Sequence, residues 1–160
     1  MDSPKPKKIT DEKVAYTKAE YYCAYQERSQ QEVRDKLYDW GLWPDAVENI
    51  ISRLIGENFL NEERFSKAYA QGKFRQKGWG KVKIKQGLKF KKVSDVLIKK
   101  AFQVIDGDEY LKMLEKVITK RAAILIEKNP NKRKYKLQQY ALSRGYERDL
   151  VADVLKEFVG

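Results

Sequence analysis

The strongest constraint on what this chain can fold into is an internal repeat of apolar positions. Val33, Ile84 and Leu137 correspond, at offsets of 51 and then 53 residues. Leu37, Leu88 and Ala141 follow at the same offsets, then Leu42, Val93 and Tyr146 after a turn. Val47, Ile98 and Val151 come next, then Ile51, Phe102 and Leu155, and finally Leu54, Ile105 and Phe158. Within each cycle the apolar residues recur three or four apart, the spacing of one face of a helix. Three helix-triplets in tandem are the economical reading. A single triplet buries too little to stand alone, so neighbours must pack on one another. The expectation is an all-α fold of three tandem three-helix repeats, forming an elongated, curved array. A basic arm is expected over residues 1–9, with repeats over 10–57, 58–106 and 107–160. Polar positions do not match between cycles, so a generic nine-helix bundle reproduces the same apolar pattern.

Local signals punctuate these cycles. Asp11 to Arg28 carries a helical pattern. Ser29 and Glu32 form a capping box ahead of the second helix, which should stop at Gly41. Pro44 opens the third helix from a position where its missing N–H does no harm, and Gly56 should end it. Asn61 and Ser94 are expected helix caps, and Gly78-Trp79-Gly80 breaks the chain between them. In the third cycle, which begins at Gly107, Asn129-Pro130-Asn131 and Gly145 mark the breaks. Trp40 and Trp43 flank Gly41 and are expected to wedge between helices.

Charge is as unevenly placed as hydrophobicity is regular. The chain has 34 Lys+Arg against 23 Asp+Glu, a formal net charge of +11. From Arg64 to Lys92 there are basic residues and no acid at all. That segment carries the whole excess, and a concentrated positive field attracts a polyanion or an acidic protein surface. Lys81, Lys85, Lys89 and Lys92 are spaced 4, 4 and 3, one stripe of a helix. Lys repels Lys at i,i+4, so an unpaired stripe asks for an external counter-charge. Lys73, Arg75 and Lys77 extend this face. A second cluster, with Lys132, Arg133 and Lys136, opens the equivalent helix of the third cycle. Together these residues could neutralise roughly five to eight phosphates, with affinity falling steeply as salt rises. The stripe is Lys rather than Arg, which argues against sequence-specific readout. Phe65, Tyr69 and Phe74 read as core; Trp79, between two glycines, is the candidate exposed aromatic contact.

Other classes of function fade on composition. The chain has no His and one Cys, Cys23, which removes the commonest general base and most transition-metal sites. Cys23 reads as a small buried residue. Glu62 and Glu63 are adjacent and serve a helix start. Gly78-Trp79-Gly80-Lys81 lacks the spacing of a phosphate-binding loop. No cofactor, metal or catalytic residue is expected. No apolar stretch approaches the roughly 20 residues that span a bilayer. Met1 to Lys8 has charge without an apolar segment behind it, unlike a secretory signal. A cytoplasmic monomer without a membrane partner is expected.

Three stretches of sequence, in order, look familiar. Arg28-Ser29-Gln30-Gln31-Glu32-Val33-Arg34-Asp35-Lys36-Leu37 is the first, and Asn58-Phe59-Leu60-Asn61-Glu62-Glu63-Arg64-Phe65-Ser66-Lys67-Ala68-Tyr69 the second. Lys77-Gly78-Trp79-Gly80-Lys81-Val82-Lys83-Ile84 is the third. In order and spacing they resemble the signatures of the RecX family of recombinase regulators, from about Lys13 to Phe158. Two departures stand out. Asn61 replaces the family's usual Asp, another capping residue. Lys91-Lys92-Val93 stands where the family often has Lys-Gly-Ile, so this turn lacks its glycine. The resemblance implies three tandem three-helix repeats. It also implies binding to the RecA recombinase filament on single-stranded DNA, restraint of its ATP hydrolysis, strand exchange and repressor cleavage, and no enzymatic activity. The competing reading is a stand-alone helical protein that binds nucleic acid without sequence preference.

Overall fold

The computed structural model describes residues 8–158 and 160. Most of the arm expected over residues 1–9 lies outside the described residues. Lys8 and Ile9 do not, and the Ile9 N–H donates to the Trp40 carbonyl at 2.8 Å. Among the described residues all regular structure is helical, and the helices come in three sets of three. The first set is α1 (Glu12–Tyr25), α2 (Gln30–Asp39) and α3 (Pro44–Gly56). The second is α4 (Glu62–Lys77), α5 (Lys81–Phe90) and α6 (Asp95–Phe102). The third is α7 (Gly107–Ile124), α8 (Pro130–Ser143) and α9 (Arg148–Glu157).

The caps explain where these helices start. Ser29 Oγ accepts from the Glu32 N–H at 3.0 Å while the Glu32 carboxylate accepts from the Ser29 N–H at 3.1 Å, a complete capping box. Asn61 accepts from the Arg64 N–H at 2.9 Å, and Ser94 from the Leu97 N–H at 3.3 Å. Asn129 accepts from both Asn131 and Lys132, and Pro130 takes the first helical position.

The turn after the second helix of each set is the clearest mark of the repeat. Gly41, Lys92 and Gly145 stand at the offsets of 51 and 53 residues, and their φ angles are +90°, +60° and +97°. The residue after each, Leu42, Val93 and Tyr146, is buried. Lys92 thus adopts the left-handed conformation that the missing glycine would take. The third helix ends at Gly56, as expected, and the left-handed residue that follows is Asn58, φ +63°, whose short polar side chain tolerates that region.

The chain divides into two compact units. One comprises the chain up to Ser66 with Lys91–Val93, and the other Lys67–Phe90 with Ser94–Gly160. The first unit packs α1, α2 and α3 around Ala15, Ala19, Val33, Leu37, Val47, Ile51 and Leu54, all buried. Cys23 belongs to this core, and burial pushes its thiol up to about 11, as suits an inert packing residue. Trp40 packs partly against the same core, but Trp43 is 46% exposed and does not wedge between helices. Glu62 closes the far end, its carboxylate accepting from the Gln30 N–H at 2.9 Å.

The second unit has Ile84, Leu88, Ile98, Leu114, Ile118, Leu137, Ala141, Val151 and Leu155 buried. Every aligned apolar position of the second and third cycles is buried except Phe102 and Phe158, which are half-buried. An aromatic row runs through it. Phe74 and Tyr110 have ring centroids 5.8 Å apart, and Tyr110 and Tyr146 are 5.2 Å apart.

Candidate nucleic-acid interface

The corner at Gly78-Trp79-Gly80 positions most of the predicted basic residues, and its main task is joining two cycles. The Gly80 N–H donates to the Arg144 carbonyl at 2.8 Å, and the Val82 N–H to the Gly145 carbonyl at 2.9 Å. The Tyr146 hydroxyl donates to the Gly78 carbonyl at 2.8 Å, and the Arg144 guanidinium to the Lys77 carbonyl. The Lys81 N–H donates to the Tyr110 hydroxyl oxygen at 2.9 Å, and that hydroxyl donates to the Glu147 carboxylate. The N–H groups that open α5, which have no partner inside their own helix, are therefore met by the corner before α9 and by α7.

Around this corner three lysines lean on rings instead of standing in solvent. The ammonium groups of Lys73 and Lys83 lie 4.9 and 4.6 Å from the centre of the Trp79 ring. Lys73 is also 5.5 Å from the Tyr69 ring, and Lys81 is 4.7 Å from that of Tyr110. Trp79 itself is half-buried, with part of its ring covered by these lysines. Phe65 and Phe74 are buried, and Tyr69 is half-buried.

The structure does not keep Lys81, Lys85, Lys89 and Lys92 as one free stripe. α5 ends at Phe90, so Lys92 stands in the following turn rather than on the helix. Lys89 pairs with Asp95 at 3.0 Å, and this partner holds the Asp95 carboxyl below its usual range. Lys81 tilts toward Tyr110, which leaves Lys85 as the exposed member on α5 with no ion pair among the described residues.

Acids from elsewhere in the chain neutralise other members of the run. Arg64 meets Glu27 at 2.5 Å, Arg75 meets Glu109 at 3.7 Å, and Lys91 meets Glu32 at 3.8 Å. In the second cluster Lys132 is exposed, and Lys136 pairs with Glu127 at 3.6 Å. Arg133 is half-buried and engaged by the protein's own backbone. Its guanidinium donates to the carbonyls of Ala122 at 2.6 Å, Leu125 at 3.0 Å, Glu127 at 3.1 Å and Gly160 at 2.7 Å. It closes the C-terminal end of α7 and has no free fork to offer a phosphate.

Sequence reasoning missed Lys112, Lys116 and Lys120, which run along α7, and Arg144. These line a groove with Arg75 and Lys77. The signal was present as a 4, 4 spacing on α7, but Glu109 and Glu115 interrupt the run in sequence and hide it. Among the described residues no cluster of acidic, Cys or His side chains could hold a metal ion. No described helix is long and apolar enough to cross a membrane.

Profiles of the RecX family match in three successive blocks. The first three-helix domain of RecX matches residues 15–54, the second 61–101 and the third 108–155. The regulatory protein RecX of Haemophilus influenzae strain PittGG is 30% identical over 133 residues, covering 82% of this chain and 86% of that protein. The chain belongs to the RecX family.

Regulatory protein RecX of Streptococcus uberis is 31% identical over 135 residues, which is 84% of this chain and 51% of that protein. The chain thus spans about half the length of that longer relative. The crystal structure of RecX from Lactobacillus salivarius superposes with a TM-score of 0.82 at 23% identity, covering 91% of this chain and 95% of that one. That likeness shows the shared fold. The three blocks coincide with α1–α3, α4–α6 and α7–α9, so the expected all-helical, three-repeat reading holds. These relatives carry the name of a regulatory protein rather than of an enzyme.

Proposed function

We propose that this chain is a regulator of the RecA recombinase. It binds the filament that RecA forms on single-stranded DNA and restrains ATP hydrolysis, strand exchange and repressor cleavage. It acts as a monomer in the cytoplasm, without catalysis or a cofactor of its own. The observation that carries this reading is the match to three RecX domains in order, over residues 15–54, 61–101 and 108–155. The charge supports it, because the cations from Arg64 to Lys92 sit mostly on helices, among them Lys73, Lys77 and Lys85 on α4 and α5. Lys132 adds a further exposed cation at the start of α8.

Co-sedimentation tests the binding half of this reading. RecA filaments assembled on long single-stranded DNA should carry the protein into the pellet at amounts too small to coat the DNA. Recovery only with bare DNA, and not with the filament, would leave a stand-alone nucleic-acid binder instead.

A further inference from the structure

The cations that face one another in space are only in part the ones that cluster in sequence: Arg75 and Lys77 come from the basic run, the others from beyond it. Lys112, Lys116 and Lys120 project from α7 at intervals of four residues, about 6 Å of helix rise each. Across from them stand Arg75 and Lys77 in the last turn of α4, and Arg144 just after α8. Between these elements run two adjoining hollows of 260 and 210 Å³, which share Arg75, Met113 and Lys116 in their walls. The only carboxylate in those walls is Glu109 at one end, and it pairs with Arg75 at 3.7 Å. The rest of the groove is lined by cations over an apolar floor that includes Met113 and Val117.

Five of these six cations are exposed, and Arg144 is half-buried. Like charges brought together along one groove repel one another unless an anion lies between them. We infer that this groove takes the phosphodiester backbone of single-stranded nucleic acid. The inference deepens the reading above and rests on it for the source of the strand.

Two features favour a strand over an acidic protein surface. The lysines are point charges at regular intervals, which suits repeated phosphates and needs no bidentate match. A positive groove that tracks a backbone without reading bases is also the usual device for binding single strands irrespective of sequence.

The test is binding of the full chain to a fluorescent oligothymidylate, followed by anisotropy across a salt series. The double variant Lys116→Glu, Lys120→Glu is compared with Lys99→Glu, Lys156→Glu. The comparison pair makes the same change in net charge at exposed positions outside the groove. A milder pair, Lys116→Ala and Lys120→Ala, keeps the test valid should the reversed charges perturb folding. Expected is an affinity loss of tenfold or more for the groove variant at low salt, with little loss in the comparison pair. The slope of log affinity against log salt should shrink by about 1.4 for two lost phosphate contacts. Equal losses in both pairs would overturn the inference, because binding would then follow net charge alone. Competition by polyglutamate as effective as by unlabelled oligonucleotide would overturn it in favour of an acidic polypeptide. Unchanged oligonucleotide binding combined with lost restraint of RecA would overturn it too, while the regulatory reading stood. Groove-dependent DNA binding without any effect on RecA would uphold the groove and sink that reading.

Discussion

Gly80 and Gly145 meet backbone to backbone. A Cβ placed on Gly80 would stand 2.3 Å from the Gly145 carbonyl oxygen, and the Gly80 N–H already donates to the adjacent Arg144 carbonyl at 2.8 Å. The contact holds together two corners that are 65 residues apart in the chain. A side chain there would have to push against backbone, which cannot rotate away.

Gly80→Ala should therefore lower stability by about 3 kcal/mol, through overpacking at a rigid contact. Urea unfolding monitored by circular dichroism checks this. Gly72→Ala on α4 is the matched control, since a Cβ there meets nothing within 4 Å. It should raise stability by about 1 kcal/mol through helix propensity alone. Equal effects from the two substitutions would show that the corner is not a tight joint.

Lys92 offers the opposite experiment. Its φ of +60° places a lysine in a region that disfavours any Cβ, at the position where Gly41 and Gly145 serve the other two turns. Lys92→Gly should stabilise the protein by about 1 kcal/mol, less the added flexibility of glycine in the unfolded chain. A shift of the urea midpoint to lower denaturant would mean that the Lys92 side chain makes a stabilising contact larger than its backbone strain.

The reach of sequence reasoning follows from the range of each interaction. Val33, Ile84 and Leu137 were legible as equivalent core positions because helical periodicity is local, and all three are buried. Ser29, Asn61 and Ser94 were legible as caps because a cap reaches only two or three residues. The charge map was the least legible part. Arg64 finds Glu27 and Arg75 finds Glu109 across tens of residues, so an acid-free stretch of sequence need not be acid-free in space. The same long-range folding gathers Lys116, Lys120 and Arg144 beside Lys77, a grouping that no local window contains.

Arg133 separates a structural cation from a binding one. Its guanidinium donates to four main-chain carbonyls, so Arg133→Ala should cost about 2 kcal/mol of stability and leave affinity for single-stranded DNA nearly unchanged. Arg133→Lys should recover little, because one ammonium cannot span the same carbonyls. Measuring melting temperature and oligonucleotide affinity on the same preparations checks both halves. Weakened binding at intact stability would return Arg133 to the interface.

The buried tyrosines predict how the fold fails in alkali. Burial, reinforced by the hydrogen bond to Glu57 at 2.5 Å, pushes Tyr16 up to about 12 from an ordinary value of 10.0. Tyr110 and Tyr146 are raised further, chiefly by burial, with the Glu147 carboxylate adding to the effect on Tyr110. The unfolded chain releases these protons near pH 10, while the folded chain keeps them. Their contribution to stability is therefore complete below about pH 10 and is lost as pH rises through 12 and beyond. Melting temperature should fall steadily above pH 10, and part of the tyrosinate absorbance should appear only as the protein unfolds. Full tyrosine titration near pH 10 with the helical signal intact would contradict this packing.

The central claim is regulation of a filament, and the most direct measurement is single-stranded-DNA-dependent ATP hydrolysis by RecA from the same cell. The protein is titrated far below one copy per RecA monomer, with bare DNA kept in excess. Loss of turnover at those ratios is the predicted result, since a filament-directed regulator needs few copies to act. No effect until the protein coats the DNA would contradict the claim and leave an electrostatic competitor for the strand.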